Sequence, residues 1–156
     1  MGDQPSKKLT IFLPTLMGGG AEKVMVTLAN EFVERGIDVD LVLAKAQGPY
    51  LSQIDQRIMI VDLKSNKQIF CLLGLLKYLR KERPSVMLSA LSTANIIAVL
   101  ARLLSRISFR LVISERAVSS VALQDNRSYQ ARFLPFLMRL AYPLADAVVA
   151  VAHGVA

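Results

Sequence analysis

The sequence predicts a doubly wound α/β fold, a parallel sheet of about six strands with helices on both faces. Three observations predict it. Short apolar runs alternate with stretches of helical periodicity along nearly the whole chain. The runs are mostly apolar throughout instead of alternating apolar and polar, which is how parallel strands covered on both faces read. The chain has 156 residues, 53% of them hydrophobic, which suits one domain with a sizeable core.

Each element follows in order. Leu9–Leu13 (LTIFL) is a strand ended by Pro14. Ala21, Val24, Met25, Leu28, Ala29, Phe32 and Val33 fall at helical spacing, and Gly36 after Arg35 marks the stop. Val39–Ala44 is the second strand, so strand, helix and strand form a right-handed parallel unit. A loop with Gly48 and Pro49 leads to a third strand at Ile58–Leu63. Gln68–Glu82 is a helix with Ile69, Leu72, Leu73, Leu76 and Leu79 on its apolar face, stopped by Pro84. Val86–Ala90 is the fourth strand. Ser92 or Thr93 then caps a helix to about Ser105. Arg110–Ser114 is the fifth strand and Glu115–Ser128 a long loop. A helix over Tyr129–Leu144 is kinked or begun anew near Pro135, and Ala147–Ala152 is the sixth strand. No internal repeat or linker interrupts the series, so residues 1–156 read as one domain. The chain ends directly after a strand, where a closing helix is expected.

Composition narrows the function. The formal net charge of +7 favours anionic partners: nucleotides, phosphorylated lipids, acidic membranes or nucleic acid. Cys71 is the single cysteine, which excludes an intrachain disulfide and a cysteine-based metal cluster and fits a reduced, cytoplasmic setting. His153 is the single histidine, so no two-histidine metal site exists in the chain. The start, MGDQPSKKLT, lacks the apolar core of a signal peptide, and its match to the myristoylation pattern is loose. The longest uncharged stretch, Pro84–Ala101, is broken by Ser85, Ser89, Ser92, Thr93 and Asn95, and reads as strand then helix instead of a membrane span.

The most informative segment is LPTLMGGGAEKV. Gly18, Gly19 and Gly20 lie between a strand and a helix, at the sheet edge where such folds bind ligands. Helix N-termini attract anions, and glycines allow close approach to the backbone. A tight turn is the plainer alternative. The loop is not a Walker loop, because Ala21-Glu22 follow Gly20 where Lys and Ser or Thr would be needed. A dinucleotide fingerprint also fails, since Lys23 stands at the third glycine position and the second strand ends Leu43-Ala44-Lys45 without an acid.

From this loop onward the chain resembles the N-terminal domain of a family-4 glycosyltransferase of the GT-B class. Residues 13–44 resemble the family's opening of strand, Gly-Gly-x-Glu-like loop, amphipathic helix, Arg-Gly and strand. SERAVSS at 114–120 and LADAVVAVAHGVA at 144–156 resemble its later landmarks. The resemblance implies two Rossmann-like domains facing across a cleft, with 1–156 on the acceptor side and a donor-binding C-terminal domain absent from this chain. It implies transfer from a nucleotide-sugar donor to a glycan or lipid-linked acceptor, with retention and without a metal or other cofactor. Gly18, Gly19, Gly20 and Glu22 would lie at the cleft. This half alone is expected to be inactive.

Further candidates share that edge. Glu115 could accept a hydrogen bond from an acceptor hydroxyl or act as a base; some relatives have a histidine there, and no histidine role transfers. Arg116 would hold a phosphate; alternatively the two residues pair with each other or with nearby loops. Ser92, Thr93 and Asn95 are helix caps or contacts to acceptor hydroxyls. His153 either faces the cleft or is merely exposed. Arg132 and Arg139 interleave with Phe133, Phe136, Leu137 and Met138, as in a basic amphipathic helix on an anionic membrane or a solvated face over a core stripe. No nucleic-acid-binding module is recognisable, so nucleic acid is not expected as a partner. A stand-alone, non-catalytic α/β module binding an anionic ligand or membrane surface is the alternative to a transferase.

Overall fold

The computed structural model describes residues 8–67, 70–116 and 129–151. Its element order is β1 (Lys8–Leu13), α1 (Gly20–Glu34), β2 (Asp38–Leu43), a 3-10 turn (Pro49–Gln53), β3 (Met59–Asp62) and α2 (Cys71–Glu82). There follow β4 (Val86–Ala90), α3 (Ser92–Ser105), β5 (Arg110–Arg116), α4 (Tyr129–Ala141), a second 3-10 turn (Tyr142–Leu144) and β6 (Ala147–Val151). All pairings are parallel, in the order β3-β2-β1-β4-β5-β6.

The apolar runs become strands because both faces of the central strands are covered. Leu9, Ile11 and Leu13 of β1 pack with Leu41 and Leu43 against Met25, Val26, Ala29 and Val33 of α1. The alternate positions, Phe12 and Val42, join Met87, Leu111 and Ile113 beneath α2 and α3, with Ala141 at the end of α4 on the same side. Phe12, Leu41, Leu79 and Ile113 are almost wholly buried, and truncating any one to Ala would cost roughly 2–5 kcal/mol. Cys71 is a buried thiol in this core, and burial pushes it up to about 11. Gly36 closes α1 with φ +78, in the left-handed region that favours glycine.

Three expectations need correction. Neither Ser92 nor Thr93 caps α3: Leu91 is the N-cap residue, with φ +78, and supplies no side-chain cap. Ser92 is instead the first helical residue, free to bond elsewhere. Glu115 and Arg116 do not follow β5 but form its last two residues, paired with Ala150 and Val151 of β6. The helix at Tyr129 runs through Pro135 and ends at Ala141, where the 3-10 turn replaces its expected last residues. No sequence signal marked the short 3-10 turn at Pro49–Gln53. Residues 117–128, and with them most of the expected long loop, lie outside the described residues.

Candidate functional site

The strand order reverses between β1 and β4, neighbours in space but separated in sequence by two other strands. Chains leaving those two strands turn to opposite faces of the sheet, which opens a crevice at their carboxyl ends. One wall is the glycine loop that feeds α1; the other is Leu91, which feeds α3. The left-handed backbone of Leu91 is unusual for so bulky a residue and stands at this crevice.

The glycine loop is braced from below. Leu16 N donates to Gln47 O at 2.9 Å, and the Tyr50 hydroxyl donates to Gly18 O at 3.4 Å. Gly48 has φ +122, and a Cβ there would lie 1.9 Å from Leu16 O, so the two loops touch backbone to backbone. Each glycine of the triplet is placed differently. Gly18 turns the chain at φ +120. Gly19 is the N-cap of α1 in ordinary extended geometry, and Gly20 is the first helical residue. Glu22 is 8% exposed and lies in the first turn of α1.

A second group surrounds Glu115. Ser92 Oγ donates to Glu115 Oε1 at 2.9 Å, and Asn95 Nδ2 donates to Glu115 Oε2 at 3.3 Å and to Ser114 O at 3.0 Å. The Tyr142 hydroxyl also donates to Glu115 Oε2. Burial pushes the Tyr142 phenol well above its ordinary value, and the carboxylate it touches adds to the rise. Asn95 is wholly buried, and its Oδ1 has no hydrogen-bond partner among the described residues. Three donors occupy three of the roughly four lone-pair directions of a carboxylate, so Oε1 keeps one acceptor site.

The structure thus brings Ser92, Asn95 and Glu115 together and leaves Thr93 exposed outside the group. Gly18, Gly19, Gly20 and Glu22 form a separate group on the same sheet edge. The Arg116 side chain and all of His153 lie outside the described residues, as do Arg132's side-chain contacts. Sequence reasoning missed Tyr142. It sits 27 residues from Glu115 and reaches it only through the pairing of β5 with β6, which no local spacing reveals. Among the described residues, no three His, Cys, Asp or Glu side chains gather as they would around a metal ion.

Comparison with known proteins identifies the family. The family model described as Glycosyltransferase Family 4 matches residues 18–156, beginning at Gly18 itself. The chain belongs to Glycosyltransferase Family 4. A curated relative, the GalNAc-alpha-(1->4)-GalNAc-alpha-(1->3)-diNAcBac-PP-undecaprenol alpha-1,4-N-acetyl-D-galactosaminyltransferase of Campylobacter jejuni, is 26% identical over 152 residues. That alignment covers 90% of this chain and 39% of the relative, so the chain spans well under half of that family member. Solved structures share the fold. Sucrose-phosphate synthase from Thermosynechococcus elongatus superposes with a TM-score of 0.68 at 13% identity, over 91% of this chain and 41% of its own. Anabaena HepE in complex with UDP-glucose gives a TM-score of 0.61 at 17% identity, over 90% and 36%. The six-stranded parallel sheet is therefore the Rossmann-like layer of the family's GT-B architecture.

Proposed function

We propose that this chain is the acceptor-side half of a retaining glycosyltransferase that moves a sugar from a nucleotide-sugar donor to a lipid-linked glycan. The observation that carries the reading is the family match that starts at the glycine loop, on the very crevice that the strand reversal opens. The donor class follows from the UDP-glucose held by HepE, and the acceptor class from the undecaprenol-linked substrate in the Campylobacter enzyme's name. Glu115 is the residue of this half placed to act on an acceptor hydroxyl through its open Oε1 site. In this reading transfer needs no metal, and a second domain supplies most contacts to the donor, so the 156-residue chain alone is inactive.

Placement at the inner face of the cell membrane suits such an acceptor. No helix among the described residues is long and apolar enough to cross a membrane. Helix α4 instead exposes Phe133, Phe136, Leu137 and Leu140 beside Arg139, a combination that rests on an anionic lipid surface. Sedimentation with anionic vesicles should carry the chain down, and Phe133→Ser with Phe136→Ser should leave it in the supernatant.

The deciding experiment reads the coding sequence past Ala156 and expresses it together with this chain. A following domain with Glu-x7-Glu should confer transfer of labelled sugar from a UDP-sugar to an undecaprenyl-pyrophosphate-linked glycan. Glu115→Gln should then lower kcat by about 10²-fold or more, the scale of a lost general base. Sugar transfer by the isolated 156-residue chain, or full activity of Glu115→Gln, would overturn the corresponding part of the reading.

A further inference from the structure

The opposite edge of the sheet carries a second cleft. At the amino ends of β4 and β5 a cavity of about 350 Å³ is lined by Arg83, Arg102, Ser108, Phe109, Arg110 and Asp146. The length of β4 separates it from the crevice at the carboxyl ends, roughly 15 Å at about 3.3 Å per residue. Three guanidiniums meet one carboxylate there. Asp146 Oδ2 accepts from Leu111 N at 2.7 Å and from Arg102 Nη1 at 2.7 Å, so this carboxylate is taken up in the wall. The Leu111 amide first, then Arg102, and also the charge of Arg110, hold the Asp146 carboxyl below its ordinary value, so the cleft favours negative charge. Glu82, beside Arg83 in sequence, is engaged by Lys8 and Lys81. Among the described residues no hydrogen bond or ion pair reaches the Arg83 or Arg110 guanidinium.

The backbone marks the same edge. Helix α2 ends on Arg83 at φ 45 and ψ 59, and α3 ends on Arg106 at φ 57, two residues before Ser108. A left-handed helix end is ordinarily a glycine, as Gly36 is after α1. A cation near a helix C-terminus complements the dipole, but Arg80 and Lys81 in the last turn of α2 already do so without strain. A strained arginine persists where its side chain is needed. We propose that this cleft binds a phosphoryl group, carried by a soluble phosphate compound or by a lipid headgroup, between Arg83 and Arg110 with Ser108 beside them. Guanidinium forks pair with phosphate oxygens two bonds at a time. The Arg102–Asp146 pair fixes one wall, and buried Phe109 gives the floor. The site does not depend on the transferase reading, because it lies at the end of the sheet away from the glycine loop and Glu115.

The test titrates the 15N-labelled chain with inorganic pyrophosphate at constant ionic strength. In parallel, flotation measures binding to phosphatidylcholine vesicles with and without phosphatidic acid. Saturable shifts of the Ser108, Arg110 and Leu111 amides name a soluble phosphate compound; binding to the phosphatidic acid vesicles alone names a headgroup. With either probe Arg110→Gln should weaken binding about tenfold or more, the scale of a lost charged hydrogen bond. Lys77→Gln removes the same charge from an exposed position on α2 and should leave binding unchanged. Arg83→Gly should weaken binding as Arg110→Gln does while keeping or raising the melting temperature, because glycine takes the left-handed helix end without strain. Silence of both probes overturns the site, as do shifts confined to the Gly18–Gly20 amides. So does binding that Arg83→Gly and Arg110→Gln both leave intact, which on vesicles would belong to α4. A loss of stability in Arg83→Gly with unchanged affinity would make Arg83 a helix end only and overturn its part.

Discussion

Two tyrosine–carboxylate pairs sit at opposite edges of the one sheet, and they are balanced differently. At the amino ends of the strands, the Tyr78 hydroxyl donates to Asp40 Oδ2 at 2.7 Å and meets Thr10 Oγ1 at 2.8 Å. Asp40 is 1% exposed, and Lys8 Nζ lies 3.2 Å from it and 3.0 Å from Glu82. At the carboxyl ends, the Tyr142 hydroxyl donates to Glu115, together with Ser92 and Asn95, all neutral donors. The register explains the first pair: Lys8 opposes Asp38 and Thr10 opposes Asp40, so all four point to the α2 face where Tyr78 and Glu82 stand one helical turn apart. The inner pair has a cation and no opening. The outer pair has an opening, and no described side chain supplies it a cation. Charge balance without access is what a structural network needs; a carboxylate held by neutral donors beside a crevice remains free to meet a substrate.

The largest test of this difference is stability. Asp40→Ala takes from a largely buried Lys8 ammonium its most buried carboxylate and from the Tyr78 hydroxyl its carboxylate acceptor, and should cost roughly 3 kcal/mol, the low end for breaking a buried pair because Glu82 still faces the ammonium. Glu115→Ala leaves only neutral donors at a half-open site and should cost about 1 kcal/mol. Urea unfolding of the two variants measures both. Equal losses would mean that the outer pair is as structural as the inner one.

A smaller effect separates the two tyrosines by pH. Burial raises both phenols well above the ordinary value of 10.0, and the neighbouring carboxylate raises each further. Because the fold favours the neutral phenol, this stability is fully present below pH 10 and is lost as pH climbs through the folded-state values. Glu115→Gln removes the carboxylate's share from Tyr142 alone, so ultraviolet absorbance should show one phenolate forming at lower pH while Tyr78 is unmoved. Asp40→Asn should show the converse. If Glu115→Gln leaves the alkaline titration unchanged, the Tyr142 contact does not persist in solution.

What the sequence disclosed follows the same division. Apolar runs and helical spacing placed all six strands and four helices, because burial on both faces of the sheet is a property each segment carries locally. The glycine loop and Glu115 were also legible, through their places after β1 and near the end of β5. The strand reversal between β1 and β4 was not, since order in the sheet depends on which helix covers which face. Ser92 looked like a cap because a serine before an apolar helix usually is one. Here Leu91 takes the cap position, and the serine turns to a carboxylate on the next strand. Tyr142 and the burial of Glu22 against Gly19 were invisible for a related reason: each depends on where a side chain folds back, not on spacing.

The smallest expected effect sharpens what balances the inner edge. Burial pulls Lys8 down, but the Glu82 and Asp40 carboxylates outweigh it and hold its pKa above the ordinary value. In return the Lys8 ammonium holds the Glu82 carboxyl below the usual carboxylate value of 4.5. A lowered carboxyl contributes stability above its unfolded pKa and loses it as pH falls through the folded one. Glu82→Gln should therefore cost no more than about 1 kcal/mol at neutral pH, as partly exposed pairs do. The cost should shrink below pH 4.5 as the wild-type carboxyl takes up its own proton. Added salt should shrink it too, since Glu82 is reached by solvent where Asp40 is not. A cost that survives both acid and salt would assign Glu82 a packing role over Lys8 and leave Asp40 as the ammonium's main counter-charge, with Asp38 at 3.9 Å behind it.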